Sequence, residues 1–393
     1  MRKINQRSLQ KIKTNTEYTD CTFDLDETKY YKIRNASFHN CHFTTDVVFE
    51  SIQQCQFVNC NFSGSFELDL SKKRLKEIPE DVLSLSYLTH LDLSRNKLTH
   101  IPPQIGNLTS LMHLDLTNNQ LKSLPKEIGE LSSLTYLDLT NNRLKDVPAE
   151  IGKLSFLTHL ILKENQLTEM PVEIGQLSAL TQLELQDNEL KAIPSEIGKI
   201  ISLTHLDLHK NKIESIPNEI GEILSLTELN VSQNQISALP KEIGKLILLG
   251  ELNAANNQLT SIPEEIGNVA ALKVLNLSKN KLSELPNLGK DLFLTTLDVS
   301  KNNLREIPQT IEKFTCLSIL DLSNNKIEQL PAEIGTLSSL TKLRLRNNKL
   351  KNIPAEIANL ISLRKMRLRG NPISEQQQKV IKDYLPECNI KFQ

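Results

Sequence analysis

The stretch LTHLDLSRNKLTHIPPQIG at residues 88–106 decides the fold, because nearly the same text recurs as LTHLDLHKNKIESIPNEIG at residues 203–221. The two copies start 115 residues apart, which is five times 23. An asparagine marks the same period, with one step of 22 residues between Asn280 and Asn302. Such a fixed period is typical of repeat architectures, in which each unit packs against its neighbours. The asparagine column comprises Asn96, Asn119, Asn142, Asn165, Asn188, Asn211, Asn234, Asn257, Asn280, Asn302, Asn325, Asn348 and Asn371.

Each constant letter of the repeat L-x-x-L-x-L-x-x-N-x-L has a structural role. The two leucines of L-x-L point into the core of a strand, and the residue between them points outward. The asparagine follows where the chain leaves the strand, and its amide offers donors and an acceptor to the turn backbone. Leaving a buried amide group unsatisfied costs roughly 1–3 kcal/mol, which favours a constant asparagine. The second half, I-P-x-E-I-G-x-L, predicts a short helical turn, because proline is favoured at the first helical position.

About fourteen units align, beginning with FELDLSKKRLKEIP at 66–79, where Lys73 occupies the asparagine column. The shorter step comes from LPNLGKDLFL at 285–294, which has one residue fewer than the stretch before it. The 23-residue unit LxxLxLxxNxLxxIPxEIGxLxx resembles the leucine-rich repeat family over residues 66–393. Its second half is similar to plant Ras-group repeats, to animal Ras-suppressor-type scaffolds and to bacterial proteins. The resemblance implies an α/β solenoid, a leucine-rich-repeat horseshoe with a concave parallel β-sheet and short convex helices, whose array we expect at 66–373.

A solenoid exposes core at each end, so we expect caps. At 374–393, Ser374 precedes an apolar-striped helix with Gln377 three residues on, which is a capping-box pattern. The alternating apolar residues of CNIKF then predict a last strand. These features predict a C-terminal cap made of a helix and a strand.

Residues 1–65 follow a different sequence pattern, with CTF, ASF, CHF, CQF and CNF beginning at positions 21, 36, 41, 55 and 60. This segment resembles pentapeptide-repeat proteins, although TTDVVFESIQQ interrupts the five-residue count. The resemblance implies a small β-helical cap that precedes the repeat array. Cysteine is among the most buried residue types, so we expect these cysteines to pack as small apolar residues.

Composition excludes several function classes. Lys and Arg total 46 and Asp and Glu total 47, so the basic excess of a nucleic-acid binder is missing. No run of 18 apolar residues exists, which argues against a membrane partner. The start, MRKINQRSLQKIK, has cations but no apolar core of a signal peptide; a basic solvated arm or an organelle transit peptide would fit it. We therefore expect a cytoplasmic monomer with reduced thiols.

The variable letters of the repeat point to a binding surface. The third, fifth and seventh positions of each unit share one face of the sheet, because side chains alternate along a strand. The early units combine His or Tyr with Asp on that face, and the last two units present cations, which adjacent strands about 4.8 Å apart would not favour for stability alone. The predicted partner-binding residues are Lys342, Arg344, Arg346, Lys365, Arg367 and Arg369 at the cationic end, with His90, His113, Tyr136, His159, Ile161 and His205 on the earlier units.

The sequence predicts a binding protein and no enzyme. It carries no nucleophile–base pair, phosphate-binding glycine loop or HExxH motif. The His-x-Asp pairs could bridge a metal, but exposed histidines that offset stacked carboxylates are the simpler interpretation, so we predict neither metal nor cofactor. We expect a protein-interaction scaffold that binds an acidic or phosphorylated protein segment, with a role in intracellular signalling. The alternative is a secreted bacterial effector or virulence factor that uses the same surface.

Overall fold

The computed structural model describes residues 1–285 and 293–392. Most of the shortened stretch, residues 286–292, therefore lies outside the described residues. Contacts divide the chain into two compact units, Met1–Glu184 and Leu185–Gln393.

Unit 1 begins with short strands in a segment rich in aromatic residues and cysteine. These strands are β1 (Arg2–Asn5), β2 (Ser8–Leu9), β3 (Thr16–Thr19), β4 (Thr22–Phe23), β5 (Tyr30–Arg34), β6 (Ser37–His39), β7 (His42–Phe43), β8 (Val47–Gln53), β9 (Gln56–Val58) and β10 (Asn61–Phe62). Two parallel sheets form in the orders β1-β3-β6-β9 and β10-β7-β4-β2. Strands β5 and β8 instead pair with each other in parallel, which leaves β8 available to the repeat sheet.

Aromatic rings stack inside this segment in register with the strands. The rings of Phe38 and Phe57 lie 4.6 Å apart, and those of Phe23 and Phe43 lie 4.7 Å apart. The four N-terminal cysteines, Cys21, Cys41, Cys55 and Cys60, are free and buried. The segment therefore has an aromatic core. Its assignment to the pentapeptide-repeat class stays a prediction.

The repeats of unit 1 each contribute one short strand and one short helix. The strands are β11 (Phe66–Asp69), β12 (His90–Asp92), β13 (His113–Asp115), β14 (Tyr136–Asp138), β15 (His159–Ile161) and β16 (Gln182–Glu184). The helices are of the 3-10 type, at Val82–Ser84, Pro103–Asn107, Lys126–Glu130, Ala149–Lys153 and Val172–Gln176. Neighbouring strands pair in parallel with a constant register, and β8 pairs with β11, so the N-terminal segment continues the same sheet.

Unit 2 repeats this arrangement and ends in a cap. Its strands are β17 (His205–Asp207), β18 (Glu228–Asn230), β19 (Glu251–Asn253), β20 (Val274–Asn276), β21 (Thr296–Asp298), β22 (Ile319–Asp321), β23 (Lys342–Arg344), β24 (Lys365–Arg367) and β25 (Asn389–Lys391). Its 3-10 helices are Ser195–Lys199, Asn218–Glu222, Lys241–Lys245, Glu264–Asn268, Gln309–Lys313, Ala332–Thr336 and Ala355–Asn359. The α-helix α1 (Glu375–Tyr384) begins where the Ser374 side chain accepts a hydrogen bond from the Gln377 backbone N–H, as predicted, and β25 pairs with β24.

The asparagine column joins consecutive repeats. At Asn142, for example, Nδ2 donates to the carbonyl oxygens of Leu116 and Leu139, each at 3.0 Å. Its Oδ1 accepts from the backbone N–H of Leu121 at 3.1 Å. One buried amide thus serves the turn backbone of its own repeat and of the repeat before it, which accounts for its recurrence.

Glycine after the Ile of the 3-10 helix permits close stacking of the helices. A Cβ atom at Gly198 would lie 2.5 Å from the carbonyl oxygen of Glu219 in the next repeat. A side chain at Gly198 would force the backbone to shift, so glycine suits the close approach at this position. The leucine-rich-repeat fold predicted from the sequence is confirmed, with 3-10 geometry in its short helices.

Candidate partner-binding face

Within each unit, the third, fifth and seventh positions of the repeats lie on one side of the sheet, which we call the sheet face. In unit 1 the register places His90 beside His113 and Asp92 beside Asp115. In unit 2 it places Lys342 beside Lys365 and Arg344 beside Arg367. Side chains at one repeat position therefore form columns across the strands. The residue type at each position therefore decides whether a column is aromatic, acidic or basic.

A stacked row of rings crosses the sheet face of unit 1. The rings of His113 and Tyr136 lie parallel, 4.2 Å apart. His90 continues the row at 5.6 Å from His113, and His159 at 5.8 Å from Tyr136. These four predicted residues are thus brought together. Ring stacking gives the row a fixed, partly apolar surface on an otherwise polar face.

Carboxylates border this row of rings, and burial shifts the pKa values of groups in both. Burial lowers the pKa of His113, and the neighbouring charge of His90 lowers it further. Burial likewise raises the pKa of the Asp115 carboxyl. The pKa of Tyr136 is raised to about 12 by burial and by Asp138, whose carboxylate also accepts a hydrogen bond from the Tyr136 hydroxyl at 3.3 Å. The carboxylates and the rings therefore form one polar network with the imidazole of His113 favoured in its neutral form.

Two further predicted residues, Ile161 and His205, are not part of the row of rings. Ile161 is only 7 % exposed and lies in register between Asp138 and Glu184, so it offers little contact surface. In unit 2, His205 is exposed and its Nε2 lies 3.2 Å from a carboxylate oxygen of Glu228. Within residues 1–285 and 293–392, no group of three or more His, Cys, Asp or Glu side chains is arranged to hold a metal ion.

The six cations predicted in the last two repeats, which we call the cationic block, lie on β23 and β24 and, for Arg346 and Arg369, two residues past the ends of these strands. The register aligns their third and fifth positions across the strands. Arg344, Arg346, Lys365 and Arg369 are exposed, and Lys342 and Arg367 are half-buried. The block is therefore a continuous basic surface.

Two arginines of the block already have partners in the chain. Arg344 forms an ion pair with Asp321, with 3.1 Å between Nη1 and Oδ2. Arg367 Nη1 lies 3.5 Å from the carbonyl oxygen of Asn389 and 3.4 Å from its side-chain oxygen. Sequence reasoning placed both arginines but missed these partners. A guanidinium held by a carboxylate offers fewer donors to a ligand than a free one.

Sequence reasoning also missed Lys391, which the last strand places beside Arg367. Lys391 is exposed and extends the fifth-position column of the cationic block by one strand. The signal was present in the alternation of CNIKF, because a strand that continues the sheet in register carries its polar residues onto the same face.

The comparisons agree with this architecture. The leucine-rich repeat region family matches residues 119–210, 183–281 and 278–387, and a second leucine-rich repeat family matches residues 67–121. The chain therefore belongs to the leucine-rich repeat family. This family and fold are typically non-enzymatic interaction domains. No curated protein sequence gives a significant match.

Several solved structures share the fold. A leucine-rich-repeat protein of Leptospira interrogans is 36 % identical, with a TM-score of 0.60, over 83 % of this chain and 95 % of that chain. Internalin InlF of Listeria monocytogenes is 21 % identical, with a TM-score of 0.65, over 83 % of this chain and 86 % of that one. The plant peptide hormone receptor RGFR1, solved in complex with RGF2, is 22 % identical, with a TM-score of 0.66, over 94 % of this chain and 80 % of that chain. In the part of the chain that the structure describes, no helix has the length and apolar character to cross a lipid bilayer.

Proposed function

We propose that this chain is a non-enzymatic scaffold whose sheet face binds a protein partner, and that the cationic block receives an acidic or phosphorylated segment of that partner. The observation that carries the proposal is the alignment of Lys342 with Lys365 and of Arg344 with Arg367 on adjacent strands. Like charges at this spacing oppose folding, and an anionic ligand relieves their repulsion. Arginine and lysine on the seventh and third positions can then bind carboxylate or phosphate oxygens.

The proposal assigns the chain to the cytoplasm as a monomer that assembles other proteins in intracellular signalling. The resemblance of the repeat to Ras-group and Ras-suppressor-type repeats supports it. The plant receptor RGFR1, which shares the fold and is described with a bound peptide hormone, supports only the binding of a protein or peptide partner. Nucleic acid and membranes are not proposed as partners, because the charge balance of 46 cations to 47 anions provides no general attraction to either.

The alternative is a secreted bacterial effector or virulence factor that uses the same face. The observation that favours it is the likeness to a Leptospira interrogans protein at 36 % identity, together with the fold shared with a Listeria monocytogenes internalin. Both alternatives use the same binding surface. Fractionating the cells and growth medium of the native organism distinguishes them, since the first places the chain in the cytoplasm and the second outside the cell.

The test of the binding proposal compares two double variants of equal charge. Arg346→Gln/Arg369→Gln removes two exposed cations from the cationic block, and Lys199→Gln/Lys245→Gln removes two exposed cations from 3-10 helices of the same unit. Binding of a fluorescent glutamate-rich peptide is measured by anisotropy across a salt series. An exposed ion pair contributes about 0.2–1 kcal/mol, so the first variant should weaken binding roughly twofold to thirtyfold.

The control variant should bind as the wild type does, with the same salt dependence. Binding should weaken as salt rises, because exposed charges are screened over about 8 Å at physiological ionic strength. Equal loss in both variants, or no loss in either, would show that the cationic block is not the binding site.

A further inference from the structure

The cationic block is organised as three rows that cross β23 and β24. Each row contains the residues of one repeat position from the two strands. The rows are Lys342 with Lys365, Arg344 with Arg367, and Arg346 with Arg369. Adjacent strands lie about 4.8 Å apart, so two cations of one row can approach a single anion.

The middle row is held within the protein. Asp321, the partner of Arg344, has a side chain only 13 % exposed, and its Oδ1 accepts a hydrogen bond from the Ser323 backbone N–H at 3.0 Å. This carboxylate is mostly buried and lies against the guanidinium. Arg367 rests against Asn389. The middle row therefore has one cation already matched and another with part of its hydrogen-bonding capacity used.

The two outer rows are free. Within residues 1–285 and 293–392, no ion pair or side-chain hydrogen bond is formed by Lys342, Lys365, Arg346 or Arg369. The third and seventh positions are four residues apart. The seventh lies two residues past the end of each strand, where the Asn347 N–H still donates to the Arg369 carbonyl oxygen at 2.7 Å, and extended chain over these residues spans about 13 Å at about 3.3 Å per residue. The sheet face thus offers two unmatched pairs of cations at that separation.

We propose that the cationic block recognises an extended acidic segment with carboxylates at positions i and i+4, one at each outer row. This inference rests on the proposed function and specifies its partner. An extended segment that runs along the strands rises by the same distance per residue as they do, and its residues i, i+2 and i+4 face the same way. An acidic residue at i+2 would meet the middle row, where Asp321 already holds Arg344 and where the exposed Lys391 lies one strand further on, on β25.

The test uses a panel of fluorescent peptides with two glutamates in a Thr- and Ser-rich background, at spacings i+2, i+3, i+4 and i+6. Each is titrated against the full chain and measured by anisotropy at low salt. We expect the i+4 peptide to bind about fivefold more tightly than the i+3 peptide, whose second carboxylate faces away from the sheet. A peptide with phosphoserine in place of each glutamate, at the same spacings, reports whether phosphate follows the same rule.

Three variants show which row of the cationic block causes the preference for the i+4 peptide. Lys342→Gln/Lys365→Gln and Arg346→Gln/Arg369→Gln each remove one outer row, so each should reduce the i+4 peptide to the affinity of a peptide with one glutamate. Arg344→Gln removes the matched cation of the middle row. It should lower stability, because Asp321 loses its partner, while the preference for i+4 over i+3 remains.

Equal affinity at all spacings would overturn the two-row proposal and leave the cationic block as a general anion site. Phosphoserine peptides that bind with equal affinity at all spacings, beside glutamate peptides without an i+4 preference, would favour a single-phosphate site instead. Failure of every anionic peptide to bind would refute the proposed function as well. Preference for i+4, lost in both row variants and kept in Arg344→Gln, would support the proposal.

Discussion

Replacing Asn142 by leucine tests the claim that the asparagine column holds the repeats together. The two side chains have similar size, so the substitution removes the hydrogen bonds without opening a large cavity. Asn142 is 7 % exposed, and water cannot readily replace its amide. The variant therefore isolates the contribution of one buried amide.

The magnitude follows from the groups that lose their partners. The backbone N–H of Leu121 donates to Asn142 Oδ1 and would be left unsatisfied, at a cost of about 1–3 kcal/mol. The carbonyls of Leu116 and Leu139 would each keep one donor, from Asn119 at 3.1 Å and Asn165 at 3.0 Å. Their weakened bonding adds about 1 kcal/mol, and the added apolar burial offsets a similar amount. We expect a net loss of about 1–3 kcal/mol.

The assay is urea unfolding followed by circular dichroism, with hydrogen exchange at the Leu121 amide as a local readout. The amide should exchange faster in the variant, because its acceptor is gone. Asn141→Gly is the control. Asn141 is exposed and has a φ of 53° that glycine adopts without strain. Its side chain donates to the exposed Asn118 at 2.8 Å, and its backbone N–H, which donates to the Lys163 carbonyl oxygen at 3.0 Å, is kept in the glycine variant. The control should change stability by less than about 0.5 kcal/mol. A loss of that size or smaller in Asn142→Leu would refute the structural role of the column.

Gly198→Ala should destabilise the chain by about 1–3 kcal/mol, because its Cβ would lie 2.5 Å from the Glu219 carbonyl oxygen. Gly250→Ala, whose Cβ would meet nothing closer than 3.6 Å, should leave the melting temperature nearly unchanged, and equal effects would contradict the packing argument. Because burial lowers the folded-state pKa of His113, the unfolded chain binds more protons below pH 6.5, so stability should fall as pH drops from 7 towards 5. In His113→Gln, the melting temperature should depend less on pH between 7 and 5. An unchanged pH dependence in this variant would contradict the role assigned to His113. Deleting residues 1–64 removes β8 and leaves the edge of β11 unpaired, so size-exclusion chromatography should show aggregation. A truncated chain that stays monomeric and equally stable would show that the segment is an independent module.

The repeat sheet was predictable because its information is local and periodic. Each unit repeats the alternation that places one strand, and the constant step of 23 residues fixes how neighbouring strands pair. The N-terminal segment was less predictable. TTDVVFESIQQ breaks the five-residue count there, and it contains β8, which pairs with β11 of the first repeat. Pairing between segments of different period depends on their tertiary packing, which the periodicity of the sequence does not reveal.

In the candidate site, the sequence predicted where the cations lie but did not predict which of them have partners within the chain. The register aligns Lys342 with Lys365 and Arg344 with Arg367 across adjacent strands. The same register also places Asp321 of the preceding repeat directly beside Arg344, since the fifth position changes from Asp to Arg between adjacent units. A change of sign in a column thus produces an internal ion pair at the boundary and unmatched cations in the neighbouring columns. Specificity in this surface should therefore depend on which cations the chain leaves free, and not on how many it carries.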